Sequence, residues 1–180
     1  MTIEELIRDC KKRKPEAQRQ LYELYKDDLY VLCLKYCRNK EQAEDNLQDA
    51  FIEIFRVIKT YKNTGSFEAW MKRITINKAI DKYRKQKPFL LKEEVEPSVD
   101  EPVDEKFIQV DLDKLLGYIQ DLPNQYRLVF NLYQLDDYSH KEIAGLLNIT
   151  ESTSKSNLHR AKSILQKKLT NAFESYEKQG

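Results

Sequence analysis

Between Lys155 and Lys168 stand five cationic side chains (Lys155, Arg160, Lys162, Lys167, Lys168) and no acid. Ser156, Asn157 and His159 lie among them. Arginine and lysine can donate to guanine O6 and N7, and a carboxamide can pair with adenine, so this set on one helix suits a DNA major groove. A second set lies upstream: Tyr61, Lys62, Phe67, Trp70, Lys72, Arg73, Asn77, Lys78, Lys82, Tyr83, Arg84 and Lys85. Aromatic rings beside cations suit single-stranded nucleic acid, whose bases stack on the rings while the cations hold phosphates. The spacing of Phe67, Trp70, Met71 and Ile74 equally fits a core face. Phe67 and Met71 read as buried, and Trp70 fits either role. Each basic block also has a plainer reading as a solvated helix face.

Other chemistries lack their residues. The sequence has no phosphate-binding glycine loop, no nucleophile–base pair and no metal-binding carboxylate cluster. No catalytic residue, metal or cofactor is therefore expected, and the chain does not read as an enzyme. His140 and His159 do not read as ligands. Cys33 and Cys37 share a helix face, but with only Cys10 besides them they make a poor zinc site. Three cysteines cannot all pair, which fits a reduced, cytoplasmic protein. No apolar run approaches the roughly 20 residues of a membrane span. The start, Met1–Glu5, is acidic and does not read as a signal peptide. No membrane insertion is expected.

The elements that must position these side chains read as helices throughout. There are only 4 Gly and 5 Pro, while 34% of residues are charged. Thr2–Glu5 forms a capping-box pattern that opens a short helix with Ile3, Leu6, Ile7 and Cys10 on one side. Pro15 suits the first turn of a second helix carrying Leu21, Leu24, Tyr25, Leu29, Leu32 and Tyr36. After a break at Arg38–Lys40, Ala43, Leu47, Ala50, Phe51, Ile54, Phe55 and Ile58 make an apolar stripe, with acids opposite. Ser66 can cap a fourth helix running to about Arg84. From Pro88 to Glu105 the periodicity stops, and seven acids meet three prolines and one base. That composition reads as an extended, self-repelling linker.

Helices resume beyond it. Leu112, Leu115, Leu116 and Ile119 mark one, and Pro123 opens the next, with Tyr126, Val129, Phe130 and Tyr133 in register. Ser139–Glu142 is a second capping box, Asn148–Thr150 a short turn, and Thr150 a cap for the last helix. Leu158, Ala161, Leu165 and Leu169 face inward on that helix. A capped helix, a tight turn and a second, basic helix make the plan of a helix-turn-helix. The second helix would enter the major groove with Lys155, Ser156, Asn157, His159 and Arg160 outward. The same hairpin could instead serve as a protein interface. Ser154 occupies a position where such helices usually carry an apolar core residue, so either it packs as a small residue or the helix is rotated.

The expected fold is all-α: two small helical domains joined by a flexible acidic linker. Acidic and basic blocks alternate along the chain although the net charge is only +1, and two separated basic blocks suggest two contacts with a polyanion.

Three segments carry a family likeness. Glu44–Phe51, Phe67–Ile74 and Asn77 through Asp81 to Lys85 resemble region 2 of the sigma-70 family. Leu122–Phe130, Tyr138–Ala144 and Thr153–Ala161 resemble region 4. Size and layout resemble an extracytoplasmic-function (ECF) sigma factor. The resemblance implies region 2 over residues 1–87, an acidic linker over 88–107, region 4 over 108–173 and a tail over 174–180. It implies a transcription initiation factor that binds core RNA polymerase through the β′ clamp and β flap, recognises the −35 and −10 promoter elements and helps melt the DNA. Asp45, Gln48, Asp49, Phe51 and Ile52 would meet polymerase. Tyr61, Lys62, Asn63, Trp70, Arg73, Asn77, Asp81, Arg84 and Lys85 would lie at the −10 element, the Tyr61–Ser66 loop receiving a flipped base. Ser152, Thr153, Lys155, Ser156, Asn157, His159 and Arg160 would read the −35 element. The linker would run near the RNA exit path. An anti-sigma factor is a further implied partner, and the free protein is expected to be a monomer.

The chain departs from the family pattern where Asn148 replaces a turn glycine, Ser154 a valine and Asn157 an arginine. Asn tolerates the left-handed backbone that such a turn needs. Two other readings are a stand-alone helix-turn-helix regulator, which leaves the acidic stripe and the aromatic–basic helix without a role, and a protein-binding helical adaptor.

Overall fold

The computed structural model describes the backbone of residues 2–90 and 112–177, and the side chains of 2–86 and 112–172. Every regular element among the described residues is helical. The chain divides into two compact units, Met1–Lys82 and Tyr83–Gly180. No helix among the described residues is long and apolar enough to cross a membrane. Most of the expected linker, 91–107, lies outside the described residues, as does the end of the tail, 178–180.

In the first unit, α1 (Ile3–Lys11) opens on Thr2, whose side chain accepts from Glu5 N–H while the Glu5 carboxylate accepts from Thr2 N–H. This reciprocal cap satisfies two otherwise orphaned donors. α2 (Pro15–Tyr36) starts with proline, whose missing N–H costs nothing in a first turn. α3 (Lys40–Val57) is capped by the Asn39 side chain on Gln42 N–H. A 3-10 turn, Ile58–Thr60, leads to the loop before α4 (Phe67–Leu90). α4 runs past Arg84 and through Pro88, beyond the expected start of the linker. The core holds Leu21, Leu29, Ile54, Ile58, Met71 and Ile80, all fully buried.

Leu24 departs from the expected inward stripe of α2: it is 60% exposed. Ala17, Leu21, Leu29, Leu32, Cys33 and Tyr36 form the buried face instead. The three cysteines are buried and reduced. Burial pushes the Cys10 and Cys33 thiols up to about 11, which makes them poor nucleophiles. Among the described residues, no three His, Cys, Asp or Glu side chains converge as a metal site.

In the second unit, α5 (Leu112–Gln120), α6 (Asn124–Phe130) and α8 (Glu151–Glu177) pack around a cluster of Ile119, Leu122, Tyr126, Ala161 and Leu165, and α7 (His140–Leu147) precedes α8. Buried Arg127 bridges the α5–α6 corner, donating to the carbonyls of Gln120 (3.1 Å) and Leu122 (3.0 Å). A π-helical turn, Asn131–Leu135, follows α6. Its extra residue rotates Tyr133 out of the expected core register, leaving it 38% exposed. Asp137 (φ 58°) ends this segment in the left-handed region.

Candidate nucleic-acid interface

The helix-turn-helix is built locally. Ser139 caps α7, with Glu142 reaching back to Ser139 N–H at 2.8 Å. Asn148 closes α7 at φ 55°, ψ 53°, the left-handed conformation expected where a glycine is usual. Thr150 then caps α8, accepting from Thr153 N–H at 3.0 Å. Asn148 and Thr150 thus define the two ends of the turn, while Ser139 and Glu142 secure the far end of α7. Ile143 and Leu147 on α7 and Leu158 and Ala161 on α8 are all buried.

The exposed face of α8 carries Ser152, Lys155, Ser156 and Arg160. Thr153 and His159 are half-buried on its flank. Arg160 Nη1 donates to the Tyr126 hydroxyl at 3.3 Å, a contact that aims the guanidinium from its base. Asn157 is a correction to the expected outward set. It is 4% exposed, and its amide nitrogen has no hydrogen-bond partner. Leu158, Ala161 and Leu165 set the inward direction of the helix. Asn157 stands one residue before Leu158 and four before Ala161, so the turn carries it inward.

Ser154 is fully buried. Its hydroxyl lies 2.9 Å from His140 Nδ1, and the His140 ring stacks on Tyr133 at 4.3 Å and 17°. The serine therefore packs as a small residue and finds a polar partner across the motif; the helix need not rotate to expose it. Burial, followed by the nearby Lys155 cation, holds the His140 imidazole below its ordinary value, with Glu151 opposing. His140 had no expected role, and its partner lies 14 positions away.

On α4, Ala69, Arg73, Asn77, Asp81 and Lys85 are exposed at four-residue spacing, which places them on one helix face. Arg84 is exposed beside Lys85. Three further lysines of this helix are engaged within the first unit. Lys72 pairs with Glu68 at 2.6 Å, Lys78 with Glu53 at 3.4 Å and Lys82 with Asp49 at 2.8 Å. Arg56 also binds Glu53, and that hydrogen bond holds the Glu53 carboxyl below its usual value.

At the N-terminal end of the stripe, Trp70 is half-buried. It stacks on Phe67 (5.4 Å) and lies 5.4 Å from the Tyr61 ring. Tyr61 is only 8% exposed, so it frames the loop and does not offer its ring face to solvent. Its hydroxyl donates to the Gly65 carbonyl at 2.7 Å, which ties off the loop between them. Lys62, Asn63, Thr64, Gly65 and Ser66 are all exposed. Asn63 (φ 56°) and Gly65 (φ 93°) both take positive φ, and Gly65 suits that geometry because it has no Cβ. Phe67 and Met71 are buried as expected, and Tyr83 is 8% exposed.

On α3, Glu41, Glu44, Asp45, Gln48 and Ile52 are exposed, Ile52 at 67%. Asp49 is half-buried in its pair with Lys82. Phe51 is buried with the apolar stripe, at 4% exposure, its ring 4.7 Å from Tyr22. Three residues beyond Gln48, the helix has turned it from the acidic face to the core.

The arrangement thus offers three faces: an acidic one with an exposed isoleucine, a polar stripe beside a braced loop, and a basic helix in a helix-turn-helix. The family profile of Sigma-70 region 2 matches residues 21–89, and that of Sigma-70, region 4, matches residues 112–165. The chain is similar to ECF RNA polymerase sigma factor SigW of Bacillus subtilis, with 32% identity covering 94% of this chain and 97% of that protein. It is similar to ECF RNA polymerase sigma factor SigM of the same organism, with 31% identity covering 82% of this chain and 91% of that one. Its fold resembles the sigma factor RpoE, solved in complex with the anti-sigma factor NepR from Bartonella quintana. That likeness has a TM-score of 0.52 at 19% identity, covering 83% of this chain and 94% of that one.

Proposed function

The chain belongs to the extracytoplasmic-function branch of the sigma-70 family, and from that premise we propose a division of labour among its three faces. As a sigma factor it is a transcription initiation factor, acting with core RNA polymerase on promoter DNA. The acidic face of α3 (Asp45, Gln48 and Ile52, with Asp49 at its edge) docks on the β′ clamp. Phe51 supports that face from below by packing on Tyr22. Carboxylates around an apolar centre suit a partly basic partner, because charge steers the encounter while the exposed isoleucine becomes buried on docking and holds it.

Arg73, Asn77, Asp81, Arg84 and Lys85 line the path of the −10 element, and Lys62 and Asn63 present the loop that receives an unstacked base. Capturing such a base offsets the few kcal/mol lost on unstacking. Tyr61 and Trp70 brace that loop. Ser152, Lys155, Ser156 and Arg160 read the −35 duplex, flanked by Thr153 and His159. Asn157 is a packing residue. The domain limits proposed for these tasks are 1–87 and 108–173, with 88–107 between them as an acidic tether and 174–180 as a tail. Further proposals are a β flap contact by the second unit, a cytoplasmic location, and a monomeric free state without cofactor or catalysis. Because the structural relative RpoE was solved with an anti-sigma factor, an inhibitory partner of that class is proposed here too.

The observation that carries this reading is the coexistence, in one chain, of a duplex-reading basic helix and a separate polar stripe beside a braced, exposed loop. A stand-alone helix-turn-helix regulator would use only the first. The test is size-exclusion co-migration with core polymerase, followed by permanganate footprinting of a promoter. Co-migration and reactive −10 thymines are expected. Duplex protection without either would establish the regulator reading.

A further inference from the structure

Lys11 stands in the last turn of α1, N-terminal to the residues matched by the region 2 profile. Its neighbours Arg8 and Lys12 are exposed, and Lys14 pairs with Asp9 at 2.8 Å. Lys11 instead folds inward, half-buried. Its Nζ donates to the Tyr61 backbone carbonyl at 2.8 Å, across 50 residues of sequence. The same ammonium lies 5.7 Å from the centroid of the Tyr61 ring, within cation–π range.

Tyr61 is the hinge post of the loop. Its N–H donates to the Ile58 carbonyl at 3.2 Å, and its hydroxyl donates to the Gly65 carbonyl at 2.7 Å. Its ring packs on Phe67 at 5.0 Å and Trp70 at 5.4 Å. The five loop residues beyond it, 62–66, are exposed and have no core of their own. Their geometry therefore depends on what holds Tyr61 at one end and on the Ser66 cap of α4 at the other; Lys11 is the hold on Tyr61 that comes from α1. A loop that receives a base gains from being fixed before the base arrives, because the ordering cost is already met.

We propose that Lys11 is a positioning residue for promoter opening: it locks the Tyr61 carbonyl and ring, and so pre-forms the base-receiving loop from α1. This rests on the promoter-opening role proposed above for residues 61–66. It touches no DNA itself.

The test compares Lys11→Met and Lys11→Arg in the full chain. Methionine keeps an apolar stem and loses both the donor and the charge, while arginine keeps both. Trp70 is the single tryptophan and packs against Tyr61, so its emission reports the brace directly in the free protein. For Lys11→Met, a shifted Trp70 emission is expected. A loss of permanganate reactivity on the order of five-fold is also expected, the size of one net hydrogen bond. Affinity for core polymerase and closed-complex footprints should stay unchanged, and Lys11→Arg should recover most of the opening. Wild-type emission and opening in Lys11→Met would overturn the proposal. So would an equal loss of core binding and opening, or an arginine variant no better than methionine. Failure of the wild-type chain to open any promoter would sink the functional reading instead. That outcome is distinguishable, because the Trp70 emission still shows whether Lys11 holds Tyr61.

Discussion

The buried Ser154–His140 contact makes a quantitative demand on the helix-turn-helix. Ser154→Ala removes the hydroxyl that stands 2.9 Å from His140 Nδ1 and leaves the backbone of α8 untouched. A neutral hydrogen bond contributes about 0.5–1.5 kcal/mol net, and its loss costs most when the abandoned group cannot reach water. Ser154 is fully buried, but His140 is only half so, and its ring nitrogen can be rehydrated. The expected loss is therefore in the lower half of that range, about 0.5–1 kcal/mol. His140→Phe keeps a ring to stack on Tyr133 and deletes the same bond from the other side. In the double-mutant cycle the two changes should couple by about 0.5–1 kcal/mol. Because the chain has two units, global unfolding is a poor readout, and native-state hydrogen exchange at the α8 amides is the suitable assay. Ser154→Ala should speed exchange there by roughly two- to five-fold, and His140→Phe, which strands the buried Ser154 hydroxyl, by more than that, with α2 and α3 amides unaffected. Additivity within about 0.3 kcal/mol would refute the claim that this bond joins α7 to α8.

Arg160→Ala should weaken binding to a −35 duplex by about 1–3 kcal/mol and relax sequence preference there, read by competitive binding, while affinity for core polymerase stays intact. Asp45→Arg should weaken core polymerase binding in a fluorescence titration and leave −35 duplex binding unchanged; equal core affinity would remove the docking role of the acidic face. Asn77→Ala should lower permanganate reactivity of −10 thymines more than it lowers closed-complex occupancy, and unchanged reactivity would take Asn77 out of the opening step. For pH, the folded His140 imidazole sits below its ordinary value of 6.5. The unfolded chain therefore binds the proton more readily, so this contribution to stability is present above about pH 6.5 and is lost as pH falls below it. Hydrogen exchange at α7 should accelerate on acidification, and His140→Phe should blunt that response.

What the sequence made legible was mostly local. Thr2 with Glu5, Ser139 with Glu142, Pro15, Asn148 and Thr150 each act within four residues of themselves, and every one sits where its side-chain chemistry requires. The stripe of Arg73, Asn77, Asp81 and Lys85 was readable for the same reason, since helix periodicity alone aligns it. Features that depend on partners far along the chain were not readable. Lys11 looks like any surface lysine until Tyr61 lies beneath it, and Ser154 looks like a core defect until His140 stands opposite. The spacing of Leu24 fits the apolar stripe of α2, yet only the position of the neighbouring helices decides which part of a long helix stays covered. The π-helical turn at Asn131–Leu135 shifted the register of Tyr133, and no composition signal marks such a turn. The chemistry of Asn157 points outward, whereas the helix phase set by Leu158 and Ala161 turns it inward.

The central claim is that this chain directs core RNA polymerase to promoters, and run-off transcription tests it most directly. Purified bacterial core polymerase would be offered pooled genomic promoter fragments with and without the protein. Discrete transcripts that appear only with the protein, and that disappear with Arg160→Ala or Asp45→Arg, are the expected result. No protein-dependent transcript, alongside demonstrated duplex binding by the protein alone, would contradict the account.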